Sequence, residues 1–388
     1  MLFIHKTVSL CDKCYRHIPA TVYEKDGQIL MTKKCEEHGE MTSVVEVDPE
    51  FYYGLQHDRD VEHFDQVLFE ATDRCQLNCP HCYHLPDNKV QDKPIDQIVE
   101  QLTKFPSDCS PMLAGAEPTL RPDFVELCSK LSSLGFKQLE LLSNGLRFDS
   151  EDFTKRVYDA GLRTMCLGLN HPSYQGETVH AKQLRGLKNM IDTGFLIGYV
   201  GYTIESYDHL PFILDEIKKI SCPEITHFRI RCGSFIGRSS DQQRSYLSIL
   251  VKKIKEILGD EVIPYSGDDN PYHVMLNWNG IILRLIQWPD VTNIDLEELS
   301  TGPWCQFYDG PISNFVHQVI TRDAFINMNM PMLDVIPERY QYRPMTGSDF
   351  DYWKTNWKGP VEFTEFDWTL EGDRLPGKVK KVIPIING

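Results

Sequence analysis

The sequence predicts an α/β protein built on a partial (β/α)6 barrel, TIM-like but open on one side. A small N-terminal metal ribbon precedes it and an α+β C-terminal extension follows. Three observations predict this. Six strand-like runs alternate with helix-like runs between about residues 65 and 260. The first fifty residues hold two pairs at metal-ligand spacing, Cys11-x2-Cys14 and Cys35-x2-His38. After about residue 262 the alternation stops and tryptophan and proline become frequent. The expected organisation is a metal module over 1–50, a core over 60–262 and a capping, substrate-selecting region over 263–388.

In the N-terminal module, Ala20–Tyr23 and Ile29–Thr32 flank Asp26-Gly27 and read as a hairpin between the two ligand pairs. Cys11, Cys14, Cys35 and His38 make a tetrahedral set suited to zinc or to a rubredoxin-like mononuclear iron. Four protein ligands close the coordination sphere. The expected role of the metal is structural, holding a module too small for a core of its own.

The six core strands are expected at Val67–Thr72, Pro111–Ala114, Gln138–Leu142, Arg163–Leu169, Phe195–Thr203 and Thr226–Arg231. Between them, Ile95, Ile98, Val99, Leu102 and Phe105 space one apolar helix face. Further helices are expected over Phe124–Leu134, Phe153–Ala160, Ala181–Ile191, Leu210–Ile220 and Tyr246–Leu258. Parallel neighbours need crossover helices, and six units fall short of a closed eight-fold barrel. In the last region, His273–Trp278 and Ile281–Gln287 flank Asn279-Gly280 as a second hairpin.

Ligands of parallel α/β folds bind at the carboxyl ends of the strands. After the first strand comes Cys75-x3-Cys79-x2-Cys82, and after the second Gly115-Ala116-Glu117-Pro118. Ser143-Asn144-Gly145 follows the third, Asn170 the fourth, Glu205 the fifth, and Arg231-Cys232 ends the sixth. Three thiolates suit three corners of a 4Fe-4S cluster, which normally takes four cysteines. The remaining iron is then open to an outside ligand, which implies chemistry at the cluster.

Composition narrows the class further. Twelve cysteines point to metal or redox chemistry in a reducing compartment. A formal net charge of -16 disfavours a large nucleic-acid interface. No apolar run approaches the ~20 residues of a membrane span. Met1–Lys6 lacks the features of a signal peptide, so a cytoplasmic protein is expected.

The cysteine run, with its Cys79-Pro-His-Cys82-Tyr83 end, resembles that of the radical S-adenosylmethionine (SAM) enzymes, and Gly115-Ala116-Glu117-Pro118 resembles their Gly-Gly-Glu-Pro segment. The resemblance implies that Gly115 and Glu117 lie near the methionine end of SAM. It places Ser143 and Asn144 at the ribose, with Asn170 and Arg231 as further ribose and carboxylate contacts. It also implies that a reduced 4Fe-4S cluster cleaves SAM to a 5′-deoxyadenosyl radical, which takes a hydrogen atom from an unactivated carbon. An electron donor such as flavodoxin or ferredoxin is the implied partner.

Ser9-Leu-Cys11-x2-Cys14, Ile18-Pro-Ala20 and Lys34-Cys35-x2-His38-Gly39 resemble the branch holding archaeal pterin methylases and tetraether lipid synthases. Residues 39–74 contain no cysteine, so the additional cysteine-rich segment of that branch is missing. The expected reaction is alkylation, methylation or carbon–carbon bond formation on a small or lipid-like substrate, by a transferase or oxidoreductase. Peptide or protein modification and a non-catalytic iron–sulfur protein are the alternatives. Cys232 and Cys305 are candidate hydrogen-atom donors or covalent acceptors, weighed against simple burial, the commoner state of free cysteine.

Overall fold

The computed structural model describes residues 1–13, 17–55, 66–82, 86, 88–89, 91–103, 110–232, 246–259, 262–265, 273–287 and 292–293. Cys14 and Cys305, together with the tryptophans from Trp288 onward, lie outside the described residues.

The N-terminal module is a four-stranded antiparallel meander in chain order: β1 (Leu2–Leu10), β2 (His17–Lys25), β3 (Gln28–Cys35) and β4 (Gly39–Glu46). The expected hairpin at Asp26-Gly27 joins β2 to β3, with Lys25 opposite Gln28. Period-two alternation in β3 turns Ile29, Met31, Lys33 and Cys35 inward. α1 (Pro49–Leu55) follows and packs Tyr52 on Ala20, Val22, Ile29 and Met31.

The core alternates strand and helix as expected: β5 (Gln66–Thr72), α2 (Ile95–Leu102), β6 (Ser110–Gly115), α3 (Phe124–Ser132), β7 (Glu140–Ser143) and α4 (Glu151–Asp159). It continues with β8 (Thr164–Gly168), α5 (Glu177–Thr193), β9 (Leu196–Ile204), α6 (Leu210–Ile220), β10 (Phe228–Cys232) and α7 (Leu247–Leu258). β5 to β10 stand side by side in chain order, every pair parallel. β6 and β8 are buried nearly without interruption, because this part of the parallel sheet is covered on both faces.

The second hairpin joins β12 (His273–Trp278) to β13 (Ile281–Ile286). β13 pairs parallel to β10, and β12 carries β11 (Val262–Tyr265) at the far edge, giving one nine-stranded sheet. The hairpin thus continues the core sheet. The reason is apolar: Leu276, Leu283 and Leu285 are fully buried in the main hydrophobic cluster.

The sheet also curls. His81, beyond the end of β5, packs its ring edge-on against Tyr174, beyond the end of β8, with centroids 5.1 Å apart. A flat sheet would hold these strand ends three strand spacings apart, roughly 14 Å. β5 and β11 form the two edges, unpaired with each other among the described residues. The result is a curved, open parallel α/β core of partial-barrel character.

Candidate active site and metal centre

The ribbon brings three of its four expected ligands together. Cys11 Sγ and Cys35 Sγ lie 3.5 and 3.4 Å from His38 Nδ1, and all three ligand atoms fall within 4.8 Å of one another. A tetrahedral metal with bonds of about 2.3 Å to sulfur and 2.0 Å to nitrogen separates such atoms by about 3.5 Å. The three residues therefore fit a tetrahedral metal. Burial raises the Cys35 thiol, but hydrogen bonds from the Glu37 and His38 amides, the His38 ring and Cys11 outweigh it and bring it down to about 6. Beneath the site Lys33 is fully buried; its Nζ donates to Leu10 O at 2.6 Å and pairs with Asp12 at 2.5 Å. These bonds grip the chain on either side of Cys11.

At the carboxyl ends of β5, β6 and β7, three separate motifs form one hydrogen-bond network. Glu117 has no exposed surface. Its Oε1 accepts from Thr119 N at 3.2 Å, Thr119 Oγ1 at 2.5 Å and Ser143 Oγ at 2.9 Å. Its Oε2 accepts from Asn144 N at 2.7 Å. Burial raises the carboxyl, and these four donors work against it. Asn144 Nδ2 in turn donates to Cys75 Sγ at 3.9 Å and to Gln76 Oε1 at 3.3 Å. Leu77 N also donates to Cys75 Sγ, at 3.3 Å. The cysteine run, the Gly115–Pro118 turn and the Ser143–Gly145 turn are thereby one unit.

Cys75, Cys79 and Cys82 are all partly buried. Burial, with the charges of Glu117, Cys79 and Cys82, pushes the Cys75 thiol up to about 12. A metal-bound thiol is deprotonated outright, so iron would relieve this cost. Three partly buried thiols on one run, with amide donors on one sulfur, are the kind of donor set that a 4Fe-4S cluster takes.

The other side of the mouth is built from β8, β9 and β10. His81 is 7% exposed; burial and the charge of Arg231 bring its ring down to about 3. Arg231, near the end of β10, is close enough for its charge to act on His81. Asn170 Oδ1 accepts from Thr203 N at 3.1 Å, tying the end of β8 to β9. Gly115 ends β6 in register with Thr72. Cys232 is fully buried in the main core cluster, which favours packing over the hydrogen-donor role considered for it. Cys305 and Cys14 lie outside the described residues.

Two functional placements escaped the candidate residues drawn from the sequence. Arg121 is buried to 1% exposure and donates to Ala71 O at 2.9 Å and Lys93 O at 2.8 Å, clamping the end of β5 to the turn after β6. Gln183 on α5 donates to Asn144 O at 2.8 Å and Gly168 O at 3.0 Å, fixing the Ser143–Gly145 turn from behind. Glu205 was placed on the rim by sequence. Its Oε1 is buried without a hydrogen-bond partner among the described residues, as is His81 Nδ1. Both atoms lie beyond strand ends, where a bound molecule would satisfy them.

Comparison with known proteins gives the same reading. Residues 3–46 match the HMPTM N-terminal zinc ribbon domain, and residues 69–217 match the radical SAM superfamily. A 7,8-dihydro-6-hydroxymethylpterin dimethyltransferase of Methanocaldococcus jannaschii is 28% identical over 227 residues, 49% of this chain and 45% of that protein. An Fe-coproporphyrin III synthase of Methanosarcina barkeri is 26% identical over 196 residues, 47% of each chain. The chain spans about half the length of these curated relatives. Among solved structures, Streptococcus suis SuiB bound to S-adenosylmethionine is similar at TM-score 0.45 and 14% identity, over 74% of this chain and 70% of that one. The matched span contains the cysteine run and both turns that converge on it. Read together with that convergence, the matches give the chain a radical SAM domain over residues 69–217, preceded by a zinc ribbon domain over residues 3–46.

Proposed function

We propose that this chain is a radical SAM enzyme that functionalises an unactivated carbon of a small or lipid-like substrate. Cys75, Cys79 and Cys82 would hold a 4Fe-4S cluster, and SAM would lie against the turns at Gly115–Glu117 and Ser143–Asn144. Cluster and SAM together supply one-electron reductive cleavage and, through it, hydrogen-atom abstraction. The single observation carrying this reading is the network from Glu117 through Asn144 to Cys75, with its 2.7 Å and 3.9 Å links.

The chain's own residues supply position and exclusion of water. Glu117 and Gln183 hold Asn144 from two directions, so its amide meets the cluster run in a fixed geometry. The packed rings of His81 and Tyr174 shield the interior of the mouth. Arg231 adds a cation there, able to meet a carboxylate. Alkylation or carbon–carbon bond formation is the favoured outcome, supported by a relative named as a dimethyltransferase. Zinc or mononuclear iron would occupy the ribbon, and a flavodoxin or ferredoxin would deliver the electron.

Anaerobic cluster reconstitution followed by dithionite and SAM tests the reading, with 5′-deoxyadenosine as the product measured. The wild type is expected to form it and Cys79→Ala to form none. An intact cluster that does not bind SAM overturns the proposal.

A further inference from the structure

Two contacts fix where the ribbon sits on the core. Glu46, the last residue of β4, is 6% exposed, and its carboxylate meets the first turn of α7. Ser248 Oγ donates to its Oε1 at 2.5 Å, and Ser248 N to its Oε2 at 3.4 Å. An anion at a helix N-terminus meets free amides and the positive end of the helix dipole. Nearby, Ser43 Oγ donates to Thr292 O at 2.5 Å.

Topology says which end of the core this is. α7 follows β10, so it starts from the carboxyl end of that strand. It ends at Leu258, and β11 begins at Val262, parallel to β10 by way of two antiparallel pairings and one parallel one. α7 therefore runs from the mouth to the opposite end. Thr292 lies six residues beyond Ile286, and Ile286 is level with Arg231 in the β10–β13 register. Both attachment points are on the mouth side, beside β10 and β13. The cluster run lies beyond β5, at the other end of the parallel series.

We propose that the ribbon is a fixed wall of the mouth on its β10–β13 side, anchored by Glu46, and that it encloses the substrate half of the site. Its ladder is held at both ends. Cys35, opposite Gly39, carries the metal end, while Glu46, opposite Ile29, is fastened to α7. The ribbon's role then extends beyond a local staple: it sets how wide the mouth opens beside Arg231. The assignment of the substrate half rests on the radical SAM reading, because that reading gives the β5–β7 side to the cluster and to the SAM contacts at Gly115, Glu117, Ser143 and Asn144, with Asn170 and Arg231 at the border between the two halves.

The test compares wild type, Glu46→Ala and Glu46→Gln as full-length, cluster-loaded protein. Hydrogen exchange is read over residues 41–47 and 247–251, phenylglyoxal modification is read at Arg231, and SAM binding is read by equilibrium dialysis. In Glu46→Ala, exchange in both segments is expected to speed up about tenfold. Arg231 is expected to react faster, with iron content unchanged and SAM still bound, its affinity shifting by no more than about threefold. Glu46→Gln keeps one acceptor for Ser248 and is expected to fall between. Unchanged exchange over 247–251 in Glu46→Ala overturns the anchor, and an unchanged rate at Arg231 overturns the wall. Loss of SAM affinity in the variant alone would put the ribbon beside the cofactor half and overturn the assignment. Failure of the wild type to bind SAM would instead count against the radical SAM reading, so the two failures are told apart.

Discussion

Glu117 does two jobs with one carboxylate, and its burial makes both visible. Four donors reach it, two of them the backbone amides of Thr119 and Asn144, which have no freedom to turn elsewhere. Glu117→Ala would strand those amides in a dry site, at about 1–3 kcal/mol each. A loss of about 3 kcal/mol is expected in urea unfolding of the full chain. Glu117→Gln keeps an oxygen for Thr119 and Ser143 but sets an amide N–H2 against Asn144 N–H. Here the turn moves more than the fold weakens, so SAM affinity in equilibrium dialysis is expected to drop about tenfold for a cost near 1.5 kcal/mol. Unaltered stability of Glu117→Ala would mean that the network does not hold the two turns together. Single residues of this kind were legible as types but not as partners: a rim carboxylate shows in the sequence, whereas the donors around it do not. Lys33 and Arg121 went unread because charged side chains are so seldom fully buried. The parity of β3 did carry the signal for Lys33, which shares the inner face of Ile29, Met31 and Cys35.

Among the elements, α5 is the one that aims the ribose-side turn. Gly145 takes a left-handed φ of +76°, and a Cβ there would lie 2.5 Å from Leu167 Cδ1. On the facing helix, a Cβ at Gly186 would sit 2.6 Å from Gly145 O, a backbone atom with little room to yield. α5 thus approaches the turn as closely as its missing side chain permits, and Gln183 bonds the same turn one helical turn earlier. Gly186→Ala is expected to cost about 1–3 kcal/mol in denaturant unfolding, with a fall in SAM affinity as Gly145 is pushed forward. Loss of stability with full SAM binding would show that the strain relaxes away from the turn. The helices themselves were plain in the sequence, since a single apolar face over Leu210–Ile220 or Leu247–Leu258 admits few other readings. β4 and β1 were not: β4 is an edge strand whose only fully buried residue is Glu46, so it has no apolar alternation to read.

At the scale of the molecule, the ribbon and the core have separate apolar clusters. Ala20, Val22, Ile29, Met31 and Tyr52 form one ribbon cluster and Cys11, Ile18 and Cys35 a smaller one at its ligand end, while β5–β10, their helices and the β12–β13 hairpin share the large one. The described contacts that join them are polar at Glu46–Ser248 and Ser43–Thr292, with a small apolar link through α1, where Phe51 packs on the large cluster and Tyr52 on the ribbon's. Domain-like parts joined this way lose their ligands independently, because distant sites without shared partners behave additively. Cys35→Ser is therefore expected to lose the ribbon metal and keep its full cluster sulfide and cluster iron. Cys79→Ala is expected to lose cluster iron and keep the ribbon metal, both read by elemental analysis after anaerobic reconstitution. The direction of dependence also follows from the packing. The ribbon's small cluster leans on its metal, as small modules do, whereas the core's cluster is large enough to stand without iron. Cys35→Ser should accordingly lower the protection of β2 and β3 against hydrogen exchange, while β7 to β9 stay protected. Sulfide lost from Cys35→Ser would reverse this order and make the ribbon a folding partner of the core.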